Sequence, residues 1–215
     1  MHGFANPLTE ARNLVLYDEY QLSFYDSHKH YFFVPLSVYN VATITNCLKQ
    51  YEQHAIEKYH GDIVYIGRIN QAEKNINLID NLNRNYDANI QVYGPLEEPL
   101  ELANYHGKLT RQQVFSQLEK SKFAILVSNT EGFSYSLVEA ISTGTPVIIR
   151  NSFPAAKFLT SRHNGFLFAK NATASELANL LKKIMHLDFK QYDELVHNNF
   201  RFALNKLSTE TFDNN

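Results

Sequence analysis

From residue 61 onward, apolar positions fall in short runs, and between the runs they recur every three or four residues. Residues 62–67 read as a buried strand closing on Gly67, and 90–94 as a second closing on Gly94. The stretch 123–127 is almost wholly apolar, as a central strand covered on both faces must be. Two later runs, 147–149 and 166–168, read as further strands. Helical spacing joins Ile76, Ile79 and Leu82, with Asn70 and Glu73 as the predicted helix start. Thr110 with Gln113 forms a capping box ahead of Val114 and Leu118, and Thr173 with Glu176 forms another ahead of Leu177, Leu180, Leu181 and Ile184. A helix over about 136–143 should end at Gly144, and 188–206 should form one more before a polar, frayed tail. Strands alternating with helices of this length predict an α/β fold, a Rossmann-like parallel sheet with helices on both faces.

Residues 1–60 follow a different pattern. They are dense in Tyr, Phe and His, with strand-like pieces at 13–17, 22–25 and 31–36 and a helical stretch over about 41–58. The expected organisation is therefore lead-in strands and a connecting helix over 1–60, an α/β domain over 61–187, and a C-terminal helix and tail over 188–215.

Composition narrows the chemistry. The 215 residues carry a formal net charge of −2 with no long charge run, which argues against a dedicated nucleic-acid protein. Cys47 is the only cysteine, which removes disulfide frameworks and multi-cysteine metal sites and suits a reducing compartment. No apolar run approaches the ~20 residues of a spanning helix. The start of the chain lacks the pattern of a secretion signal. A cytoplasmic location is expected, with peripheral attachment at the inner face of a membrane left open. The nine histidines show no metal-ligand spacing: His28 and His30 are not expected to hold a metal, and His106 and His163 are expected to face solvent.

The candidate chemistry centres on S-N-T-E-G-F-S-Y-S-L-V-E, residues 128–139. A helix beginning near Ser134, Tyr135 and Ser136 would aim its free amides and the positive end of its dipole out of the carboxyl edge of the sheet, an anion site suited to phosphate. Glu131 in the loop and Glu139 one turn inside the helix are placed to accept hydrogen bonds from hydroxyls on either side of such a phosphate. Taken alone, the two carboxylates are better explained as complements to the helix dipole. Gly67, Arg68 and Lys74 leave the first strand at the same edge, where cations can neutralise a diphosphate leaving group. Gly94 precedes Pro95 after the second strand, where a missing side chain lets a flat base approach or simply makes a tight turn. The dinucleotide, P-loop, zincin and nucleophile-elbow motifs are absent from the sequence.

In order, Y-I-G-R-I-N-Q-A-E-K-N (65–75), I-Q-V-Y-G-P (90–95), Y-H-G-K-L (105–109), the acidic motif through Ala140, G-T-P-V (144–147) and N-G-F-L-F (164–168) resemble the retaining glycosyltransferases of the GT-B fold, family four (group 1). The resemblance covers about residues 60–187 and implies the C-terminal, donor-binding half of such an enzyme. It implies that Arg68 and Lys74 hold the diphosphate of a nucleotide sugar, a UDP-sugar first among them. It further implies that amides around Ser134–Ser136 complete the phosphate site, that Glu139 binds the ribose, and that Glu131 contacts the donor sugar. No metal or other cofactor is implied, and transfer would retain anomeric configuration. Three departures stand out: Lys74 follows Arg68 by one residue more than is usual, Val127 replaces a common Pro, and the segment from Ser152 to Lys157 replaces a Gly-Gly pair followed by glutamate.

Residues 1–60 are too few for the acceptor-binding half. The expectation is therefore a hexosyltransferase domain for polysaccharide biosynthesis, acting on a cell-surface glycan, lipid or protein. It would be incomplete without an N-terminal domain or a partner subunit. Two alternatives stand beside it: a non-catalytic glycosyltransferase-like partner subunit, and a sugar-nucleotide epimerase or phosphorylase on the same fold.

Overall fold

The computed structural model describes residues 13–16, 30–33, 39–69, 72–96, 98–131, 134–152, 156, 160 and 163–209. Strands β1 (Asn13–Leu16) and β2 (His30–Phe33) pair in parallel, with Asn13 opposite His30. The strand expected at 22–25, together with Tyr17, His28 and residues 34–36, lies outside the described residues. Helix α1 (Val41–Tyr59) starts where the Asn40 side chain accepts from the Thr43 amide, and it buries Ile44, Cys47 and Tyr51.

The remaining strands are β3 (Ile63–Ile66), β4 (Gln91–Tyr93), β5 (Phe123–Leu126), β6 (Val147–Arg150) and β7 (Gly165–Phe168). They form one parallel sheet in the order β4-β3-β5-β6-β7. Every residue of β5 and β6 is buried, which is why their sequences are continuous apolar runs rather than alternating ones. Helices α2 (Ile76–Tyr86) and α5 (Ala174–Met185) pack together. Helices α1, α3 (Arg111–Lys120), α4 (Tyr135–Ser142) and α6 (Phe189–Phe202) form a second packed group. The two groups cover opposite faces of the sheet, as right-handed crossovers require once the chain reverses direction after β4.

Helices α3 and α5 begin at the expected boxes, Thr110 with Gln113 and Thr173 with Glu176. Two boundaries differ from the sequence reading. Helix α2 begins at Ile76, because Ala72–Lys74 form a 3-10 turn and Asn75 is left-handed at φ 53°. That turn is held from outside, since the Asn129 amide donates to the Glu73 carbonyl at 2.7 Å. Asn70, the expected cap, lies outside the described residues. The last helix is α-helical only to Phe202 and widens into a π turn over Ala203–Leu207. Gly144 ends α4 as expected, at φ 71°, and a Cβ there would sit 2.3 Å from the Phe200 ring. The chain enters and leaves this unit side by side: Tyr39 bridges Ser208, and the Thr209 amide donates to the Tyr39 carbonyl at 3.2 Å.

Candidate functional site

The strand order places a switch point at β3 and β5. After β3 the chain adds β4 on one side, then crosses back to add β5 on the other. Loops that leave two neighbouring parallel strands in opposite directions open a crevice at the carboxyl edge, where ligands of open α/β sheets bind. Arg68 leaves β3 and residues 127–131 leave β5, so they flank that crevice.

Gly67 is fixed by its amide, which donates to the Tyr93 carbonyl at 3.1 Å. The buried Tyr65 hydroxyl donates to the Arg68 carbonyl at 2.9 Å, holding the backbone while the Arg68 side chain stays exposed. Among the described residues the Arg68 guanidinium has no hydrogen bond or ion pair. Gly94 has a packing reason to lack a side chain: a Cβ there would lie 1.7 Å from the Gly67 carbonyl oxygen.

Lys74 and Glu131 are brought together as an ion pair, at 19% and 11% side-chain exposure. Ser128 Oγ also donates to the same Glu131 oxygen at 2.9 Å. From the 3-10 turn over Ala72–Lys74 the ammonium reaches the acidic loop. The two charges expected to face a donor separately therefore neutralise one another.

Ser134 is the N-cap of α4, yet among the described residues no side chain caps that helix; Ser134 Oγ lies instead 3.1 Å from Ser136 Oγ. By contrast, side-chain boxes cap α3, α5 and α6. The first-turn amides of α4 are left for another acceptor, at the positive end of the helix dipole. Tyr135 projects beside them, 62% exposed. Glu139 lies half-buried on the same helix and its carboxylate makes no hydrogen bond among the described residues. Burial pushes its pKa above the usual carboxylate range, with the Arg111 guanidinium at the start of α3 opposing that rise.

Several residues at this edge had escaped the sequence reading. Arg150 ends β6 with only 8% of its surface exposed. Its Nη1 donates to Asn129 Oδ1 at 2.6 Å, while its Nε is buried with no partner. Burial lowers the guanidinium pKa from its ordinary value. The nearest signal in the sequence is a cation closing the apolar run Val147–Ile149. Ser152 Oγ braces the same loop by donating to the Ser128 carbonyl at 2.6 Å. Residues 153–155 and 157, within the segment that departs from the family pattern, and Gly132 of the acidic motif lie outside the described residues.

A cavity of about 450 Å³ lies elsewhere, lined by Cys47, Tyr51, Lys58, Glu119 and Thr143 among others. Lys58, Glu119 and Thr143 all precede strand starts, so this cavity is at the amino edge, away from Arg68 and Glu131. Lys58 is buried there, donating to the Leu118 and Glu119 carbonyls at 2.8 and 3.0 Å and to Thr145 Oγ1 at 2.8 Å. It closes the C-terminal end of α3 against α1. Burial likewise raises the Cys47 thiol to about 12, which leaves it a small core residue. Among the described residues no group of three His, Cys, Asp or Glu could hold a metal ion, and no helix is long and apolar enough to cross a membrane.

Residues 49–202 match the family model described as "Glycosyl transferases group 1". No match was found among curated protein sequences. Among solved structures, sucrose-phosphate synthase from Thermosynechococcus elongatus superposes with a TM-score of 0.71 at 15% identity, over 95% of this chain and 56% of that one. HepE from Anabaena, in complex with UDP-glucose, gives 0.71 at 12% identity, over 95% and 62%. A point mutant of TarM from S. aureus, in complex with Fondaparinux, alpha-GlcNAc-glycerol and UDP, gives 0.65 at 18% identity, over 94% and 42%. This chain spans about half the length of these structures, and the likeness is one of fold.

Proposed function

This chain belongs to the glycosyl transferases group 1 family, and from that premise we propose that it binds the nucleotide-diphosphate sugar donor of a retaining glycosyltransferase. One observation carries the reading: the loops after β3 and β5 flank the switch point of the sheet and bring Arg68, the uncapped start of α4, and Glu131 to one edge. The α4 amides at Ser134–Ser136 and the Arg68 guanidinium take the diphosphate, stabilising the charge that develops as it leaves. The free Glu139 carboxylate accepts the ribose hydroxyls. Glu131, oriented by Lys74 and Ser128, accepts from the donor sugar.

The ion pair supports a change to one expected role. Lys74 acts through Glu131 rather than as an independent phosphate ligand. Arg68 and the helix dipole then supply the positive field, and no metal is required. The acceptor hydroxyl attacks the anomeric carbon on the face that the diphosphate leaves, and the acceptor site lies on a domain or subunit outside this unit. A UDP-sugar is the first donor to try, since HepE is seen with UDP-glucose.

A thermal-shift panel of nucleoside diphosphates and their sugars tests this directly. At a hundredfold excess over Kd, a ligand adds about 2.7 kcal/mol, or roughly 5–10 °C in Tm for a chain of this size. Arg68→Ala should shrink that rise. A flat response to every nucleoside diphosphate at millimolar concentration would overturn the reading.

A further inference from the structure

Among the described residues, Arg150 is a cation whose surroundings lack an anion. It is 8% exposed, and its Nε is buried without a partner. Among the described residues no carboxylate lies within 4 Å of it. Its one side-chain hydrogen bond, to Asn129 Oδ1, is to a neutral amide, and the Phe168 ring 5.7 Å away offers only a weak field. The neighbouring sequence supplies no acid either. Between Glu139 and Glu176 there is no Asp or Glu, while Arg150, Lys157, Arg162 and Lys170 all fall in that interval. A buried guanidinium left without a counter-charge is strongly unfavourable unless an anion arrives from outside the chain.

The position of Arg150 identifies which part of a ligand it meets. Strands β3, β5 and β6 are consecutive neighbours, so Arg68 and Arg150 leave the same edge two strand spacings apart, roughly 10 Å. The β5 loop, with the Lys74–Glu131 pair, lies between them. Helix α4 follows β5, the neighbour of β6, so a diphosphate held between Arg68 and the start of α4 lies beside the β6 loop as well. Because Lys74 neutralises Glu131, an acidic sugar is not repelled on its way to Arg150. On the donor-site reading above, the donor is the molecule held at this edge, and it is the source of the anion.

We propose that Arg150 determines donor specificity by binding a carboxylate on the transferred sugar, which makes this a site for a nucleotide-diphosphate hexuronate. Guanidinium and carboxylate match as a bidentate pair, and Nε is the buried guanidinium donor that has no partner to give up. The inference rests on the donor-site reading above.

Calorimetric titration of the full chain with UDP, UDP-glucose and UDP-glucuronate, and with GDP, GDP-mannose and GDP-mannuronate, separates the two ideas. The expected result is that the acidic sugar nucleotide binds at least tenfold more tightly than its neutral counterpart on the preferred base. Arg150→Met should erase that ratio while leaving the affinity for the bare nucleoside diphosphate unchanged, and Arg150→Lys should retain part of it. Equal binding of acidic and neutral donors, or a preference that survives Arg150→Met, overturns this inference and leaves the donor site standing. Failure of all six ligands to bind overturns both. The wild-type ratio decides by itself should Arg150→Met not fold.

Discussion

Replacing Glu139 with glutamine should move binding and stability in opposite directions. The carboxylate is half-buried, makes no hydrogen bond among the described residues, and has its pKa raised by burial. A raised folded pKa means that the group's contribution is fully present below the unfolded value of ~4.3 and is lost as pH rises through the folded value. At neutral pH the ionised carboxylate is thus a net cost to the fold, which Glu139→Gln removes. Sites of this kind commonly return about 0.5–2 kcal/mol on neutralisation, or roughly 1–8 °C in Tm. The ribose end behaves differently. Two hydroxyls donating to a charged acceptor contribute about 1.5–3 kcal/mol each. A neutral amide oxygen keeps about half of that, so roughly 1.5–3 kcal/mol is lost, about 10- to 150-fold in Kd. Melting curves of both proteins, alone and with increasing UDP, measure the two effects together. The unliganded variant should melt higher, and the ligand-induced rise should be smaller. A variant that keeps its full response to UDP would refute the placement of this carboxylate at the ribose, and one that melts lower than wild type would refute the cost assigned to its buried charge.

Three further substitutions probe how the site is held. Gly94→Ala puts a methyl group onto the Gly67 carbonyl; overpacking of this kind costs about 1–3 kcal/mol, and because Gly67 must move, nucleotide binding should fall beyond what lost stability explains, as titration on still-folded protein would show. Gly144→Ala combines a left-handed backbone with a Cβ 2.3 Å from the Phe200 ring, so urea unfolding should show a loss of roughly 2–4 kcal/mol with ligand affinity unaltered in the folded fraction. Burial pulls the Lys58 ammonium down to about 7, whereas the unfolded chain keeps that proton to about 10.4; the unfolded state binds the extra proton between those values, so stability should climb as pH rises from 7 to 10, and urea midpoints of Lys58→Met should lack that component of the slope.

Sequence and tertiary structure divide the site between them at identifiable residues. Thr110 with Gln113 and Thr173 with Glu176 announced their helices because a capping box is complete within four residues. The runs 123–127 and 147–149 announced central strands because burial on both faces excludes alternation. The start of α2 was not legible, since Ala72–Lys74 and Asn75 take their conformations from a loop more than fifty residues away. The purpose of Gly94 was likewise hidden, because the atom it makes room for is the carbonyl of Gly67 on the next strand.

The linear order of motifs therefore determined the parallel sheet, the carboxyl edge where its chemistry gathers, and the carboxylates at Glu131 and Glu139, because strand burial and helix caps are local properties of the chain. Only the folded structure decided which charges remain free. Lys74 spends its charge on Glu131, while Arg68 and Arg150 have no carboxylate within 4 Å among the described residues. Pairing between charges depends on distances through space, across strands and turns, which spacing along the chain does not encode.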